Sequence, residues 1–412
     1  MTKKRVVITG LGVVASNGNN VDEFWNSITN GISGIDKITH FDASAFRTQI
    51  AGEVKGLDMD QYLSPKEQKK IDRFCHFAVA ASAQAVEQAG IDDESLDKTR
   101  IGVLIGSGIG GLQTLEQEIT KLNDKGPRRV SPLLIPKMIG DMSSGIVSIQ
   151  HGFQGPNYTA VSACASGTHA IGEAYWAIVR DDADIMVCGG AEAALTPVGI
   201  AGFASMKAMS QRNAEPKTAS RPFDAERDGF IMAEGGGALI LESLESAEAR
   251  GANIIAEFIG YGASGDASHI TAPASDGNGA ARAIKIALKH AGISPEEVSY
   301  INAHGTSTPL NDKYETIAIK SVFGDDTKTP ISSTKSMTGH ALGAAGAWET
   351  IVCALAVQND IIPPTINLNN PDPDCNLDYV PHVARKTEVN VALNINLGFG
   401  GHNATGLIKK YK

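Results

Sequence analysis

Short β-branched runs alternate along the chain with segments whose apolar residues return every three or four positions. The runs Arg5 to Thr9, Ile101 to Ile105, Ile185 to Cys188, Ala238 to Leu241, Ile254 to Ile259 and Val391 to Ile395 predict buried strands. Between them, Ile71, Phe74, Cys75 and Ala78 share one helical face. So do Ile171, Ala174, Tyr175 and Ile178, and again Ile284, Ala287, Leu288 and Ala291. Strands interleaved with helices predict an α/β layered protein. Glycine, 44 of 412 residues, gathers beside the apolar runs, where strands are expected to turn into helices. No segment is low in complexity, and no Pro/Ser linker divides the chain.

An internal echo adds to this pattern. A shift of 171 residues lays Cys164 on Lys335 and His169 on His340, with Ala170, Gly172 and Ala174 on Ala341, Gly343 and Ala345. The echo predicts a duplicated fold of two halves, residues 1–252 and 253–412, facing each other about a pseudo-two-fold axis. Lys335 and His340 would then approach Cys164 from the second half.

Charge and composition remove several function classes. The chain carries 36 Lys+Arg against 46 Asp+Glu, a net charge of −10, with 42% hydrophobic and 20% charged residues. That is the profile of a globular protein large enough for two or three domains. Without a basic run, non-specific nucleic-acid binding is not expected. No apolar stretch approaches the roughly 18–20 residues that a membrane helix requires. Lys3-Lys4-Arg5 leads directly into Val6-Val7-Ile8, without a leader pattern, which predicts a cytoplasmic protein or an organelle protein already trimmed, and the cytoplasmic location is the expectation taken. Five unpaired cysteines predict reduced thiols, without a disulfide framework or zinc site.

Two glycine patterns imitate a dinucleotide-binding turn: Gly10-Leu11-Gly12-Val13-Val14-Ala15 and Gly106-Ser107-Gly108-Ile109-Gly110-Gly111. Neither is followed by the second strand and acidic residue that such a site needs. Both are therefore expected to be tight packing turns, and an NAD(P)-dependent oxidoreductase stays a minority alternative.

Candidate chemistry centres on Cys164. Asn157 to Ala163 reads as a strand and Cys164-Ala165-Ser166-Gly167-Thr168-His169 as the start of a helix. A thiol there faces unpaired backbone N–H groups and the positive end of the helix dipole, which favour thiolate. Cys75 and Cys188, on an apolar helix stripe and an apolar strand, read as inert packing residues. Tyr300 to Ala303 ends as a strand and delivers His304 into Gly305-Thr306-Ser307-Thr308-Pro309. The cluster Lys335-Ser336-Met337-Thr338-Gly339-His340 supplies a cation and a second imidazole, while His169 is expected to pack. A thiolate, two neutral imidazoles and a cation suit acyl transfer with stabilisation of an oxyanion or enolate. A hydrolytic Cys/His/Asp set would need a carboxylate against the imidazole, and the sequence offers no clear one.

At these residues the chain resembles the β-ketoacyl-acyl-carrier-protein synthases, the condensing branch of the thiolase superfamily, and most of all the elongating type II enzymes. The likeness runs from Val6-Val7-Ile8-Thr9-Gly10-Leu11-Gly12 to Gly398-Phe399-Gly400-Gly401. Its most specific pieces are Ala163 to Gly167, Asn302 to Thr308 and Lys335 to His340, supported by Ser220-Arg221-Pro222-Phe223-Asp224 and Arg227-Asp228-Gly229-Phe230. The resemblance implies a five-layered α-β-α-β-α thiolase-like fold. It also implies decarboxylative condensation of malonyl-acyl-carrier protein with an acyl group held on Cys164. His304 and His340 would assist decarboxylation, and Lys335 would support them electrostatically. The N–H groups of Cys164 and Phe399 would form an oxyanion hole. Thr306, Thr308 and Thr271 would meet the substrate-borne phosphopantetheine, Phe203 and Phe399 would gate the acyl pocket, and Ile109 would limit chain length. A homodimer is implied, and no free cofactor.

Where many members read Asn-Ser-Phe or Asn-Ser-Leu before the final glycine motif, this chain has Ile395-Asn396-Leu397. The monovalent cation site of some members uses residues near there with Asn302 and Glu349, so the resemblance carries no metal expectation here. Acyl-carrier protein is acidic, so docking would require a local basic patch. Lys66, Lys69, Lys70 and Arg73 in one helical region, with the pair Arg128-Arg129, are the candidates. Within the superfamily, a degradative thiolase would need a second catalytic cysteine and a starter-type synthase an Asn in place of His340. A type I elongating synthase or a polyketide ketosynthase remains an alternative, whereas a non-catalytic partner subunit, outside the class, fits poorly because Cys164 is present.

Overall fold

A computed structural model describes residues 4–412; Lys3 lies outside the described residues. Ten strands form one sheet: β1 (Val6–Val14), β2 (Ile101–Gly106), β3 (Asn157–Tyr158), β4 (Ile185–Glu192), β5 (Gly235–Ser243), β6 (Ala256–Gly265), β7 (Tyr300–Asn302), β8 (Ile331–Ser332), β9 (Val391–Gly398) and β10 (His402–Lys409). Their spatial order is β8-β7-β9-β10-β6-β1-β5-β4-β2-β3. Read outward from the middle, β1-β5-β4-β2-β3 and β6-β10-β9-β7-β8 are one topology used twice. Each has two antiparallel pairings followed by two parallel ones. Only two residue pairs, Val7 with Glu257 and Ile8 with Ala256, join β1 to β6 across the centre.

Helices fill the layers. The outer face of the first half carries α1 (Arg73–Ala89), in a core with Val103, Ile105, Val187 and Ile240. Following β2 in the chain, α2 (Leu112–Lys125) is more exposed. Between the halves lie α3 (Ser166–Val179) and, from the second half, α6 (Ala345–Asn359). The far outer face carries α4 (Asn278–Ala291) and α5 (Pro309–Phe323). The central helix α6 is buried from Ala345 to Val357, which is why its sequence is apolar on every side except for Glu349 and Thr350.

The duplication has a different register from the expected echo. Ala163 and Leu342 are both non-glycine residues at positive φ, 51° and 46°, and each opens a short 3-10 turn leading into α3 or α6. The offset is therefore 179 residues, which pairs Cys164 with Gly343 rather than with Lys335. A one-turn helix, Lys335–Thr338, precedes the true counterpart, and the residue matched to Cys164 by the sequence echo lies in it.

The first glycine pattern is not a turn, because β1 runs straight through it. A Cβ at Gly12 would lie 1.9 Å from the Ala81 carbonyl oxygen of α1, and one at Gly10 2.2 Å from that of Ala85. Gly260 and Gly262 on β6 press on α4 in the same way, against Ala287 and Ala283. These glycines let a helix lie directly on a strand. The strand expected over Asn157 to Ala163 is paired only at Asn157–Tyr158. Beyond Tyr158 the chain leaves the sheet for the turn that presents Cys164.

Candidate active site

Cys164 sits in the middle of the 3-10 turn Ala163–Ala165, immediately before α3, and is 7% exposed. It opens on a cavity of about 350 Å³ whose lining also includes His304, His340, Leu342, Phe203 and Phe399. Thr271, Thr306 and Thr308 line the same cavity, so eight of the residues singled out by sequence converge there. Donor atoms of Cys164, His304 and His340 all lie within 4.8 Å of one another. The two imidazoles, both from the second half, stand edge to face with centroids 5.2 Å apart and planes at 87°.

Each imidazole is fixed by its own backbone. His304 leaves the end of β7, and Glu315 of α5 accepts its N–H at 2.6 Å and that of Gly305 at 2.8 Å. Gly305 is required there, since its φ is 37° and a Cβ would meet the Ser333 Cβ at 2.5 Å. Arg227, in the Arg-Asp-Gly-Phe motif, donates to the carbonyls of Thr308 (3.2 Å) and Pro309 (2.9 Å) and so ties down the same loop. His340 donates its backbone N–H to Ile231 (2.7 Å) and packs edge-on to Phe230, while its Nδ1 has no partner.

Lys335 does not line the cavity. It is buried behind His304, with Nζ 3.3 Å from His304 Nδ1 and an ion pair to Glu349 of α6. The other Glu349 oxygen accepts from Asn396 Nδ2 at 2.6 Å. Both Glu349 oxygens are thus engaged within the chain, and nothing below is routed through a metal. No carboxylate touches either imidazole ring of this set, which separates it from a Cys/His/Asp arrangement.

Electrostatics change one expectation. Burial, then the Lys335 charge, then His340 hold His304 well below the usual imidazole range, and burial and Lys335 do the same for His340. Both rings are therefore neutral at physiological pH, as expected. The thiol differs from expectation. Burial pushes Cys164 up to about 12, although Lys335 and the N–H groups of Phe399 and of Cys164 itself favour the thiolate. Desolvation outweighs the helix mouth, so the resting sulfur is a neutral thiol. The two N–H groups directed at that sulfur are those of the expected oxyanion hole.

Other expected residues fall elsewhere. Ile109 is 40% exposed and is not among the residues lining the cavity. Lys66, Lys69, Lys70, Arg128 and Arg129 are exposed, and Lys137 reaches the Lys69 carbonyl at 3.5 Å. Arg73 is not part of that group: it begins α1, a separate helix from the one carrying Lys66, and is paired through two hydrogen bonds with buried Glu234. His169 packs, its Nδ1 lying 2.5 Å from Ser162 Oγ. Sequence reasoning missed Glu192 and Glu315. Glu192 had a legible signal, being the one charge between Asp184 and Lys207; Glu315 had none, because its role depends on where α5 crosses β7.

The second glycine pattern holds an internal carboxyl group. Glu192 accepts the N–H groups of Gly108 (2.7 Å) and Ile109 (3.2 Å).

Comparison with known proteins agrees with this geometry. The model of the "Beta-ketoacyl synthase, N-terminal domain" matches residues 3–247, and that of the "Beta-ketoacyl synthase, C-terminal domain" matches residues 255–369. A "3-oxoacyl-[acyl-carrier-protein] synthase 2" of Synechocystis is 54% identical over 413 residues, covering 100% of this chain and 99% of that protein. One of Staphylococcus aureus is 50% identical over 410 residues, covering 99% of each. Among solved structures, an ishigamide ketosynthase/chain length factor superposes with a TM-score of 0.94 at 36% identity over the full length of both chains. A type II polyketide ketosynthase, solved with its acyl-carrier protein, gives 0.92 at 37%, again over both full lengths. With both family models matched across most of its length and relatives at half identity end to end, this chain belongs to the β-ketoacyl synthase family of condensing enzymes.

Proposed function

We propose that this protein elongates fatty acyl chains by two carbons, condensing malonyl-acyl-carrier protein with an acyl group carried on Cys164. The observation that carries the reading is the meeting of one thiol and two neutral imidazoles within 4.8 Å at the end of an apolar-walled cavity. The 50–54% relatives named as 3-oxoacyl-carrier-protein synthases favour fatty-acid elongation over the polyketide alternative.

In the first step the Cys164 sulfur attacks the acyl thioester. The S–C bond to Cys164 forms, the bond to the pantetheine sulfur breaks, and the thiol proton passes through an imidazole to the leaving sulfur. The N–H groups of Cys164 and Phe399 stabilise the tetrahedral oxyanion. In the second step malonyl loses carbon dioxide. The electron pair left on its α-carbon is delocalised onto a thioester oxygen held by His304 and His340 as donors, then forms the new C–C bond to the acyl carbonyl. Cys164 leaves as thiolate and takes up a proton. Neutral imidazoles serve here, since each keeps an N–H to donate without attracting a proton from solvent. Lys335 acts through His304 and is a positioning residue.

The cavity rim suggests the rest of the assignment. In this reading Thr271, Thr306 and Thr308, which line the cavity, hydrogen-bond a pantetheine arm, and Phe203 and Phe399, with ring centroids 6.3 Å apart, gate the acyl site. Ile109 stays in this reading as a chain-length residue only through a second subunit. A homodimer is supported by exposed apolar side chains at Ile109, Ile135, Ile149, Tyr158 and Val161 and by the open sheet edge at β3. Lys66, Lys69, Lys70, Arg128 and Arg129 form the proposed docking surface for the acidic carrier protein. The reading divides the chain into halves 1–252 and 253–412 and places the enzyme in the cytoplasm.

The test is incubation with an acyl-carrier thioester and carboxyl-labelled malonyl-carrier protein. Release of labelled carbon dioxide in equal amount to a β-ketoacyl product is expected. Carbon dioxide without condensation product, or neither, overturns the reading.

A further inference from the structure

Glu192 ends β4 with no exposed surface, and the mechanism above makes no use of it. Its two oxygens accept from four donors. Oε1 takes Ser107 Oγ (3.2 Å) and the Ile109 N–H (3.2 Å), and Oε2 takes the N–H groups of Gly108 (2.7 Å) and Gly343 (3.1 Å). Three of these are backbone groups, from two segments that meet nowhere near each other in sequence: the turn after β2 and the 3-10 turn before α6.

Both segments border the reacting sulfur. Leu342, whose φ of 46° a leucine rarely adopts, lines the cavity beside Cys164, in one apolar cluster with Ile200, Phe203, Met209 and Phe230. Gly343 is the next residue, so its N–H bond to Glu192 holds that conformation in place. On the other side, a Cβ at Gly108 would meet Glu192 Oε2 at 2.7 Å and the Ala163 carbonyl oxygen at 3.3 Å, so the same carboxylate backs the nucleophile's own turn. Under the 179-residue duplication, Gly343 is the counterpart of Cys164. One helix mouth holds the nucleophile, and the other is closed by an internal carboxylate.

We propose that Glu192 is a positioning residue that fixes the apolar wall at Leu342 and thereby sets how the enzyme discriminates among acyl chains of different length. This rests on the acyl-transfer reading above. A carboxylate is needed because three of the four groups are backbone N–H groups, which can only donate, and they are shared between both oxygens. In Glu192→Gln, whichever way the amide turns, its NH₂ faces at least one of these backbone N–H groups and that bond is lost. Burial raises the Glu192 carboxyl to about 7, so the comparison is made about one unit above that, where it is ionised.

The experiment measures transfer from acyl-carrier proteins with acyl chains from four to sixteen carbons onto Cys164, followed by intact mass, for the wild type, Glu192→Gln and Ser107→Ala. In Glu192→Gln, transfer of the longest chains is expected to fall about tenfold relative to the shortest. Ser107→Ala keeps the three backbone bonds and shifts the ratio in the same direction by about twofold to threefold. A ratio unchanged in Glu192→Gln, or an equal fall at every length, overturns the inference. If Glu192→Gln does not fold, Ser107→Ala decides alone, and an unchanged ratio overturns it. Failure of the wild type to become acylated by any chain instead overturns the acyl-transfer reading itself.

Discussion

The protonation state of Cys164 can be read directly by alkylation. With the thiol pushed up to about 12, ionising it at neutral pH costs about 7 kcal/mol, at about 1.4 kcal/mol per pH unit, and about one molecule in 10⁵ carries thiolate. Iodoacetamide is small and uncharged, so its rate follows the thiolate fraction rather than the charge of the pocket. Between about pH 6 and pH 9.5 the rate of Cys164 carbamidomethylation, followed by peptide mass, should rise about tenfold per pH unit without levelling. Cys75, Cys188, Cys353 and Cys375 are buried away from the cavity and serve as internal controls in the same digest. Replacing Lys335 by Met removes the charge that favours thiolate and should slow alkylation further. A profile that levels near neutrality would show that helix mouth and lysine outweigh burial, and would refute the neutral resting thiol.

Charge reversal at Lys69 and Arg129 together should raise the apparent KM for carrier-bound substrates while leaving kcat within about twofold; an unchanged KM removes that docking surface. Glu349→Leu strands the buried Lys335 ammonium and should destabilise the fold by about 3–5 kcal/mol in urea titration, most of it recovered by adding Lys335→Met. Little loss in the single variant would mean that the pair is not a buried one. His304→Ala and His340→Ala should each slow condensation by about 10²–10⁴-fold, with a smaller effect on acyl transfer. Condensation at the normal rate in either variant shows its assigned role to be wrong.

Much of this architecture was legible because the relevant signals are local. The buried strands at Ile101, Ile185 and Val391 announce themselves by β-branched runs, Cys164 by the start of the helix that follows it, and His304 by its place just after the strand Tyr300–Asn302. The repeat was legible as a fact but not in its register. Matching side chains favoured an offset that pairs His169 with His340, whereas the backbone repeats through positive-φ residues, Ala163 and Leu342, whose common aliphatic character marks no register. Gly10-Leu11-Gly12 was misread as a turn because its glycines answer to a helix that arrives about seventy residues later in the chain. The thiol's burial was invisible for a similar reason. A helix mouth can be inferred from neighbouring residues, but desolvation depends on Phe399, Leu342 and His340, supplied by the other half. Glu192 lay within reach, as a lone charge in an apolar stretch, yet only the fold shows which amides it holds.

The central claim, that Cys164 carries the acyl group while the second half's imidazoles carry the condensation, is tested most directly by separating the two steps in one reaction. Intact mass after mixing with acyl-carrier thioester should show one acyl group on the wild type, on His304→Ala and on His340→Ala, and none on Cys164→Ala. Adding malonyl-carrier protein should then discharge the wild type within seconds and leave both acylated histidine variants loaded. An acyl group retained on Cys164→Ala, or either histidine variant discharging to β-ketoacyl product as fast as the wild type, would contradict the account.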